Sequence, residues 1–218
     1  MRVGVIGAGR IGGNAGRLFA RAGHEVMFSF SRDPEKLEQL ARENGGRSGS
    51  PVEAARFGEV VVLSVPWRLV DEALAQAGSL EGKVVIDTTN QYGPDGWEDL
   101  GERTAAQLNA ARVPGAGYVK SFNTLTSGFQ AEAAERTGDE RVALFLCGDD
   151  AGAKSTAAGL IEDAGFVPVD VGGTADAAVM EAPRRDGAVY GEEYREPEAR
   201  AVVDALRAGK PIPPTPSY

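Results

Sequence analysis

The sequence predicts an α/β fold with a doubly wound, mainly parallel sheet of about eight strands and helices on both faces. Two observations lead to this prediction. Short apolar runs rich in Val alternate with longer amphipathic segments along most of the chain, and this alternation favours parallel strands joined by right-handed crossovers. In addition, a glycine-rich turn joins the first apolar run directly to the first amphipathic segment, as in strand–turn–helix units that bind ligands.

The first strand, Arg2–Ile6, leads into a six-residue turn with glycine at its first, third and sixth positions. This G-x-G-x-x-G spacing is typical of Rossmann folds that bind dinucleotides. The first glycine allows a tight turn, the second allows a pyrophosphate to approach the backbone, and the third lets the helix pack on the strand. We expect the pyrophosphate at the free N–H groups of the helix that begins near Ile11. A structural turn without a ligand is the alternative. The turn consists of Gly7, Ala8, Gly9, Arg10, Ile11 and Gly12.

The second strand, His24–Phe30, ends without the carboxylate that NAD-binding folds place there to accept hydrogen bonds from the ribose. Asp33 comes too late and precedes a proline, so we interpret it as the N-cap of the next helix. Ser31, Arg32 and Lys36 suit a 2′-phosphate instead, because hydroxyls and cations bind it by charge-assisted hydrogen bonds. This predicts NADP(H). The alternative is that Arg32 and Lys36 are solvated charges at a helix start.

The alternation continues to about residue 172. Strands are predicted at 59–67, 83–90, 118–123, 141–150 and 166–172, and helices at 33–46, 51–57, 68–78, 104–111, 125–136 and 151–165, with a loop at 91–102. The tail is predicted to form a short helical C-terminal extension, with helices near 174–181 and 199–208 and a proline-rich end that is extended or disordered. We divide the chain into an NADP-binding Rossmann domain, 1–124, and a C-terminal α/β extension and tail, 125–218, that completes a second-substrate pocket.

Composition excludes several classes of function. The net charge of −9 over 218 residues argues against nucleic acid or an anionic membrane as a partner, which leaves a small molecule. No apolar run approaches the roughly 20 residues that span a bilayer, and no signal peptide is visible, so we expect a cytoplasmic protein. A single cysteine, Cys147, and a single histidine, His24, predict neither an internal disulfide nor a metal cluster.

Ligands of open α/β sheets bind outside the carboxyl ends of the strands, and the side chains predicted there are hydroxyls, amides and aromatics. These can position a nicotinamide and a planar partner, and we assign no catalytic residue among them. Asp87 is either a base or a turn cap, and Lys120 is the one candidate proton donor. Trp67 is either a lid over the cofactor or a core residue. The strand ends predicted to contact the cofactor are Ser64, Val65, Pro66, Trp67, Asn90, Asn123 and Ser127.

Several of these segments resemble the NADPH-dependent deazaflavin (coenzyme F-420) reductases and their dinucleotide-binding relatives, which include the cytosolic domain of membrane metalloreductases. The segments are "MRVGVIGAGRIGG", "GHEVMFSFSRDPEKL", "VVVLSVPW", "GKVVIDTTNQY", "VKSFNTL" and "LFLCGDD", within residues 1–181. The resemblance implies NADP(H) held by Ala8, Gly9, Arg10 and Ile11 at the pyrophosphate, by Ser31, Arg32 and Lys36 at the 2′-phosphate, and by Val65, Pro66 and residues 123–127 at the nicotinamide. A deazaflavin would lie across the nicotinamide face. The resemblance, with the amphipathic C-terminal helix, also implies a homodimer.

Three functions remain open at this point. The first is hydride transfer between NADP(H) and a deazaflavin or similar planar carrier. The second is NADPH-dependent reduction of a small carbonyl or imine, which needs Lys120, Asp87 or a tyrosine near the nicotinamide. The third is a non-catalytic NADP(H) sensor. The chain departs from the reductase pattern at Ala177-Ala178, where Ala-Arg is expected, and in its polar tail, where an apolar helix is expected.

Overall fold

The computed structural model describes residues 1–218 and confirms the α/β fold. The first half of the chain forms β1 (Arg2–Ile6), α1 (Arg10–Arg21), β2 (Glu25–Ser29), α2 (Pro34–Glu43), β3 (Arg47–Ser48), α3 (Pro51–Phe57), β4 (Val60–Leu63), α4 (Val70–Ala77) and β5 (Val84–Asp87). The second half forms β6 (Tyr92–Gly93), β7 (Gly96–Trp97), α5 (Ala105–Arg112), β8 (Gly117–Lys120), α6 (Ser127–Ala133), β9 (Ala143–Leu146), α7 (Ala151–Asp163), β10 (Val167–Asp170) and α8 (Glu196–Arg207). Short 3₁₀ helices cover Trp67–Leu69, Gly138–Glu140 and Thr174–Met180.

The central sheet has six strands in the order β3-β2-β1-β4-β5-β8, and every pair in it is parallel. The prediction of about eight strands is therefore wrong for this sheet. The strands β9 and β10 form a separate parallel pair, because β9 meets β8 through an antiparallel bridge between Lys120 and Cys147 that does not continue the parallel ladder. The loop predicted at 91–102 contains the antiparallel hairpin β6–β7.

The central strands are apolar on both faces because helices cover both faces of the sheet. All four residues of β4 are buried. Val60 and Val62 belong to one hydrophobic cluster together with residues of α1 and α7, whereas Val61 and Leu63 belong to a second cluster with residues of α4, α5 and the tail. Successive side chains of a strand point to opposite faces. The continuous Val run therefore supplies two cores, as a doubly wound sheet requires.

Helix α1 packs unusually close to the sheet because glycines line its buried face. A Cβ built on Gly16 would lie 2.3 Å from the Phe28 ring, and one built on Gly12 would lie 2.1 Å from the carbonyl oxygen of Gly7. Ala15, Leu18 and Phe19 complete the same face. The third glycine of the turn therefore has the packing role expected from its position.

The tail forms the short helix and the final helix that the sequence predicts, and then continues to residue 218 without regular structure. Between the two helices the tail returns to the second sheet, where the amide of Ala143 donates to the carbonyl of Tyr194 at 2.8 Å and Val142 bridges Arg195. The domain boundary at residue 124 stays a prediction. None of the helices combines the length and the apolarity needed to cross a bilayer.

The space around two helical glycines, Gly16 in α1 and Gly159 in α7, predicts opposite effects of Gly→Ala substitutions on stability. Gly16→Ala should destabilise the protein by about 1–3 kcal/mol, because the new methyl group overlaps Phe28. Gly159→Ala, at a position in α7 with no atom within 4 Å of the new Cβ, should stabilise by about 0.5–1 kcal/mol through helix propensity. Urea unfolding measures both values. Equal midpoints for the two variants would contradict the packing described for α1.

Candidate functional site

A groove of about 760 Å³ opens along the carboxyl ends of β1, β2 and β4. This is the edge at which ligands of doubly wound sheets bind. Eight of the residues predicted to contact a cofactor line it: Gly7, Ala8, Gly9, Ser31, Arg32, Ser64, Val65 and Pro66. Its lining includes both the glycine turn and the end of β2, the two places that a dinucleotide contacts in this type of fold.

The glycine turn leaves the first turn of α1 open toward this groove. Gly7 has a φ of +103°, and its Cβ would lie 2.1 Å from the carbonyl oxygen of Ser64, so only glycine fits there. Gly9 is the N-cap of α1 and forms no side-chain cap, and a Cβ built on it meets nothing within 4 Å. Arg10 and Ile11 are the first helical residues. Free N–H groups beside open space fit a pyrophosphate.

The end of β2 presents a serine and an arginine, with the nearby carboxylate already engaged. Asp33 caps α2 by accepting from the amide of Lys36 at 3.1 Å, and this backbone hydrogen bond lowers the pKa of Asp33. The ammonium of Lys36 lies 3.3 Å from the same carboxylate. Lys36 therefore neutralises Asp33 and does not line the groove, whereas the exposed Arg32 does. The predicted N-cap role of Asp33 is confirmed.

The opposite wall of the groove carries Arg68, which the strand-end pattern does not single out. Arg68 lies in the 3₁₀ turn Trp67–Leu69, and this turn directs the neighbouring Trp67 away from the groove. The indole N–H of Trp67 donates to Glu98 at 2.9 Å, and the guanidinium of Arg112 lies 5.0 Å from the ring centroid. Trp67 is thus a buried packing residue. Arg68 directly follows the predicted strand 59–67, but β4 ends at Leu63, so the position of Arg68 depends on the 3₁₀ turn.

Two predicted amides meet beyond the groove, at the ends of β5 and β8. The side-chain NH₂ of Asn123 donates to the side-chain oxygen of Asn90 at 3.1 Å and to the carbonyl of Met180 at 2.7 Å. Asn90 in turn donates to the backbone carbonyl of Asn123 at 2.9 Å. The side-chain oxygen of Asn123 is buried and has no partner. Ser127 begins α6 without joining either the amide pair or the groove.

Two phenylalanines with a left-handed backbone conformation precede candidate site residues, one at the groove and one at the amide pair. Phe30 has a φ of 56° directly before Ser31, and Phe122 has a φ of 58° directly before Asn123. Such a backbone is rare for an aromatic residue and costs on the order of 1–3 kcal/mol. Backbone strain is therefore located just after β2 and β8, next to the candidate site residues Ser31 and Asn123.

Behind the amide pair lies a fully buried ion cluster centred on Lys120. The ammonium of Lys120 donates to the carbonyl of Thr89 at 2.7 Å and lies 3.5 Å from Asp87 and 3.8 Å from Glu181. All three charged side chains are at most 4% exposed. The structure therefore does not bring Lys120 to the groove as a proton donor.

Each carboxylate of the cluster is also fully occupied. Asp87 accepts from the hydroxyl of Tyr118 at 2.6 Å and the amide of Asn109 at 2.8 Å. Burial, followed by the charge of Asp87, raises the pKa of Tyr118 well above its usual value. Asp87 also accepts from the backbone of Thr89, as a turn cap does. Glu181 accepts from the first two backbone N–H groups of α5 at 2.9 and 2.8 Å. The cluster is therefore closed, because its carboxylates are bonded within the protein.

Comparison with known proteins relates this chain to NADP-dependent oxidoreductases. Residues 2–91 match the family model described as NADP oxidoreductase, coenzyme F420-dependent, which confirms the resemblance drawn from the sequence. The metalloreductase STEAP3 of Rattus norvegicus is 29% identical over 182 residues, which cover 83% of this chain and 36% of that protein. The chain thus spans about a third of the length of this relative.

Solved structures confirm the Rossmann-type fold. A hypothetical protein from Sinorhizobium meliloti is 29% identical with a TM-score of 0.79, and the match covers 90% of this chain and 95% of that one. A protein described as a candidate F420-dependent NADP reductase, from Arthrobacter sp. FB24, is 24% identical with a TM-score of 0.70 and coverages of 80% and 86%. A reductive aminase from Aspergillus terreus in complex with NADPH is 19% identical with a TM-score of 0.59 and coverages of 81% and 56%. The last two show the fold alone.

The buried cluster predicts a large stability effect for Lys120→Met. Loss of the ammonium leaves Asp87 and Glu181 buried without a counter-charge, so we expect the free energy of unfolding to fall by about 3–5 kcal/mol. Arg200→Met, which removes an exposed ion pair within α8, is the control and should change stability by about 0.5 kcal/mol or less. Urea unfolding at neutral pH measures both. A Lys120→Met value as small as that of the control would refute the cluster's role.

The same environment predicts an unreactive thiol. Burial raises the pKa of Cys147 to about 12; the charge of Lys120 lowers this pKa by a smaller amount, and the charge of Glu181 raises it. At pH 8 the thiolate is therefore scarce and enclosed. We expect a thiol reagent to label native protein only at the rate of unfolding, while denatured protein reacts at once. Rapid labelling of the native protein would contradict this environment.

Proposed function

We propose, from the match of residues 2–91 to the F420-dependent NADP oxidoreductases, that this chain binds NADP(H) in the groove and exchanges hydride with a deazaflavin or similar planar carrier. The observation that carries the proposal is the arrangement of polar and charged side chains at the end of β2. Ser31 and Arg32 line the groove there, and the one adjacent carboxylate, Asp33, is occupied as a helix cap. No free carboxylate is available at this position to accept a hydrogen bond from a ribose 2′-hydroxyl, whereas the guanidinium of Arg32 can bind a 2′-phosphate.

The glycine turn supports the placement of the remainder of the cofactor. Free N–H groups at the start of α1, with open space at Gly9, suit the pyrophosphate. Arg68 on the opposite wall adds a second cation to the groove, which the carboxylate of Glu72 also lines. We propose that three residues after β4 contact the part of the cofactor between the pyrophosphate and the nicotinamide: Ser64, Val65 and Pro66.

The amide pair supports a nicotinamide position at the ends of β5 and β8. The unpaired side-chain oxygen of Asn123 costs about 1–3 kcal/mol while it lacks a donor. The carboxamide N–H of a nicotinamide supplies such a donor. Since the NH₂ of Asn123 is held by Asn90 and Met180, the orientation of the amide is fixed before a ligand arrives. Asn90 and Asn123 would therefore orient the ring without moving a proton.

The surroundings of Lys120 favour a planar carrier over a carbonyl or imine as the acceptor. Bound NADPH supplies a hydride at C4 of its nicotinamide. A carbonyl needs a proton at the reacting oxygen as it accepts the hydride. Of the candidate donors, Lys120 and Asp87 are enclosed in the buried cluster, so a carbonyl reductase would have to use a tyrosine. A deazaflavin accepts the hydride on a ring carbon and the balancing proton on a ring nitrogen that exchanges with solvent. For this transfer the chain needs only to hold two rings face to face.

The direct test is absorbance on mixing the protein with NADPH and oxidised deazaflavin coenzyme. We expect NADPH-dependent bleaching of the deazaflavin, and a much slower reaction with NADH. In Arg32→Ala the KM for NADPH should rise about 10- to 100-fold, because a hydrogen bond to a charged group contributes roughly 1.5–3 kcal/mol, while the KM for NADH stays unchanged. Arg42→Ala, which removes an exposed arginine of α2, is the matched control.

Three outcomes would count against the proposal. NADPH binding without bleaching, by equilibrium dialysis, would favour the sensor. NADPH oxidation by a ketone or cyclic imine but not by the deazaflavin would favour the small-molecule reductase. Equal use of NADH by the wild-type protein would refute the 2′-phosphate site.

A further inference from the structure

The hairpin β6–β7 exposes two large aromatic side chains beside the candidate site. Tyr92 and Trp97 are each 44% exposed, and the other large hydrophobic residues that are this exposed are the two terminal ones, Met1 and Tyr218. Tyr92 pairs directly with Trp97 across the antiparallel hairpin, so their side chains lie on the same face and adjoin. Together they form one small aromatic surface, which we call the aromatic shelf.

The aromatic shelf is held in place by hydrogen bonds at the C-terminal end of β7. The indole N–H of Trp97 donates to the carbonyl of Ala182 in the tail at 2.9 Å. The next residue, Glu98, donates its backbone N–H to the carbonyl of Gln91 at 2.9 Å and accepts from the indole of Trp67 at the same distance. Exposed aromatic groups that are fixed in this way lose little conformational entropy when a ligand stacks on them.

The aromatic shelf adjoins the proposed nicotinamide position. The amide of Tyr92 donates to the carbonyl of Asn90 at 2.8 Å, and two residues of extended chain span only about 7 Å. The buried side-chain oxygens of Gln91 and Asn123, on either side of Asn90, both lack hydrogen-bond partners. Unpaired acceptors next to an exposed aromatic surface offer a heteroaromatic ring both hydrogen-bond partners and a stacking face.

The tail contributes a third aromatic residue. Tyr190 lies against Tyr92, and burial, followed by the neighbouring Tyr92 hydroxyl, raises the pKa of Tyr190 well above its usual value. Its hydroxyl therefore stays neutral across the physiological range. The tail segment that carries it is bound to the strand ends, since the amide of Gly191 donates to the carbonyl of Thr124 at 2.8 Å. The polar tail, which departs from the reductase pattern, thus places the hydroxyl of Tyr190 next to that of Tyr92.

We propose that the aromatic shelf, Tyr92 and Trp97, is the stacking site for the planar heteroaromatic ring of the hydride acceptor. This inference rests on the proposed function and adds the residues that select a flat ring. Stacking on Trp97 holds the acceptor beside the nicotinamide, where the two rings can overlap. Small aliphatic carbonyls gain nothing from such a surface, so it selects against them.

Equilibrium binding tests the aromatic shelf separately from turnover. Oxidised deazaflavin coenzyme and, in parallel, flavin mononucleotide are titrated into protein saturated with NADP⁺ by isothermal calorimetry. We expect Trp97→Ala and Tyr92→Ala to raise the Kd of the deazaflavin by about tenfold or more, with the Kd of NADP⁺ unchanged. Trp97→Phe, which keeps a ring, should restore most of the affinity. Tyr218→Ala, which removes the other exposed aromatic residue, is the matched control and should have no effect.

The outcomes separate this inference from the proposed function. If the wild-type protein neither binds nor reduces the carriers, the proposed function fails and the inference with it. If it reduces the deazaflavin and Trp97→Ala keeps the wild-type Kd, only the aromatic shelf is overturned. Conversion of a dimer to a monomer by Trp97→Ala in sedimentation velocity, with the Kd unchanged, would also overturn it, because the surface would then be covered by a second copy.

Discussion

A single buried ammonium group, that of Lys120, joins the elements that form the carboxyl edge of the sheet. It lies between Asp87 at the end of β5, Glu181 in the tail and the carbonyl of Thr89. Two carboxylates face one ammonium, and the excess negative charge lies at the N-terminus of α5, where the helix dipole is positive. Ion clusters of this kind add little net stability over an apolar core, but they allow few alternative arrangements. The cluster thus fixes where the tail lies on the sheet.

The position of the candidate site depends on this cluster through short chains of hydrogen bonds. The loop after β5 is held by Lys120 at Thr89, and the next residue is Asn90, which pairs with Asn123. Asn123 reaches Met180, which directly precedes Glu181. We expect a change at any of these groups to disturb the others, because neighbouring groups in the chain share hydrogen-bond partners. The amide pair and the cluster are therefore parts of one network.

Local features of the sequence were predicted correctly, and features set by distant partners were not. The glycine turn and the Asp33 cap depend on neighbours within a few residues, so their spacing alone identifies them. The orientation of Trp67 depends on Glu98, 31 residues away, and the environment of Lys120 depends on Glu181. Neither contact leaves a periodic signal. The same reason explains Arg68, since the 3₁₀ turn Trp67–Leu69 that contains it is not visible in the apolar pattern.

The prediction of about eight strands in one sheet was wrong for a related reason, because β9 and β10 form a separate pair. This second sheet affects how molecules can associate. Free strand edges are templates on which another chain can add a strand and begin to aggregate. In the pair β9–β10, the tail covers the outer side of β9, where Ala143 bonds to Tyr194. On the other edge, β10 carries Pro168, which has no N–H to offer. Neither edge of the pair β9–β10 is therefore a good template for adding a strand from another molecule. The tail that borders the candidate site thus also protects the protein from self-association by strand addition.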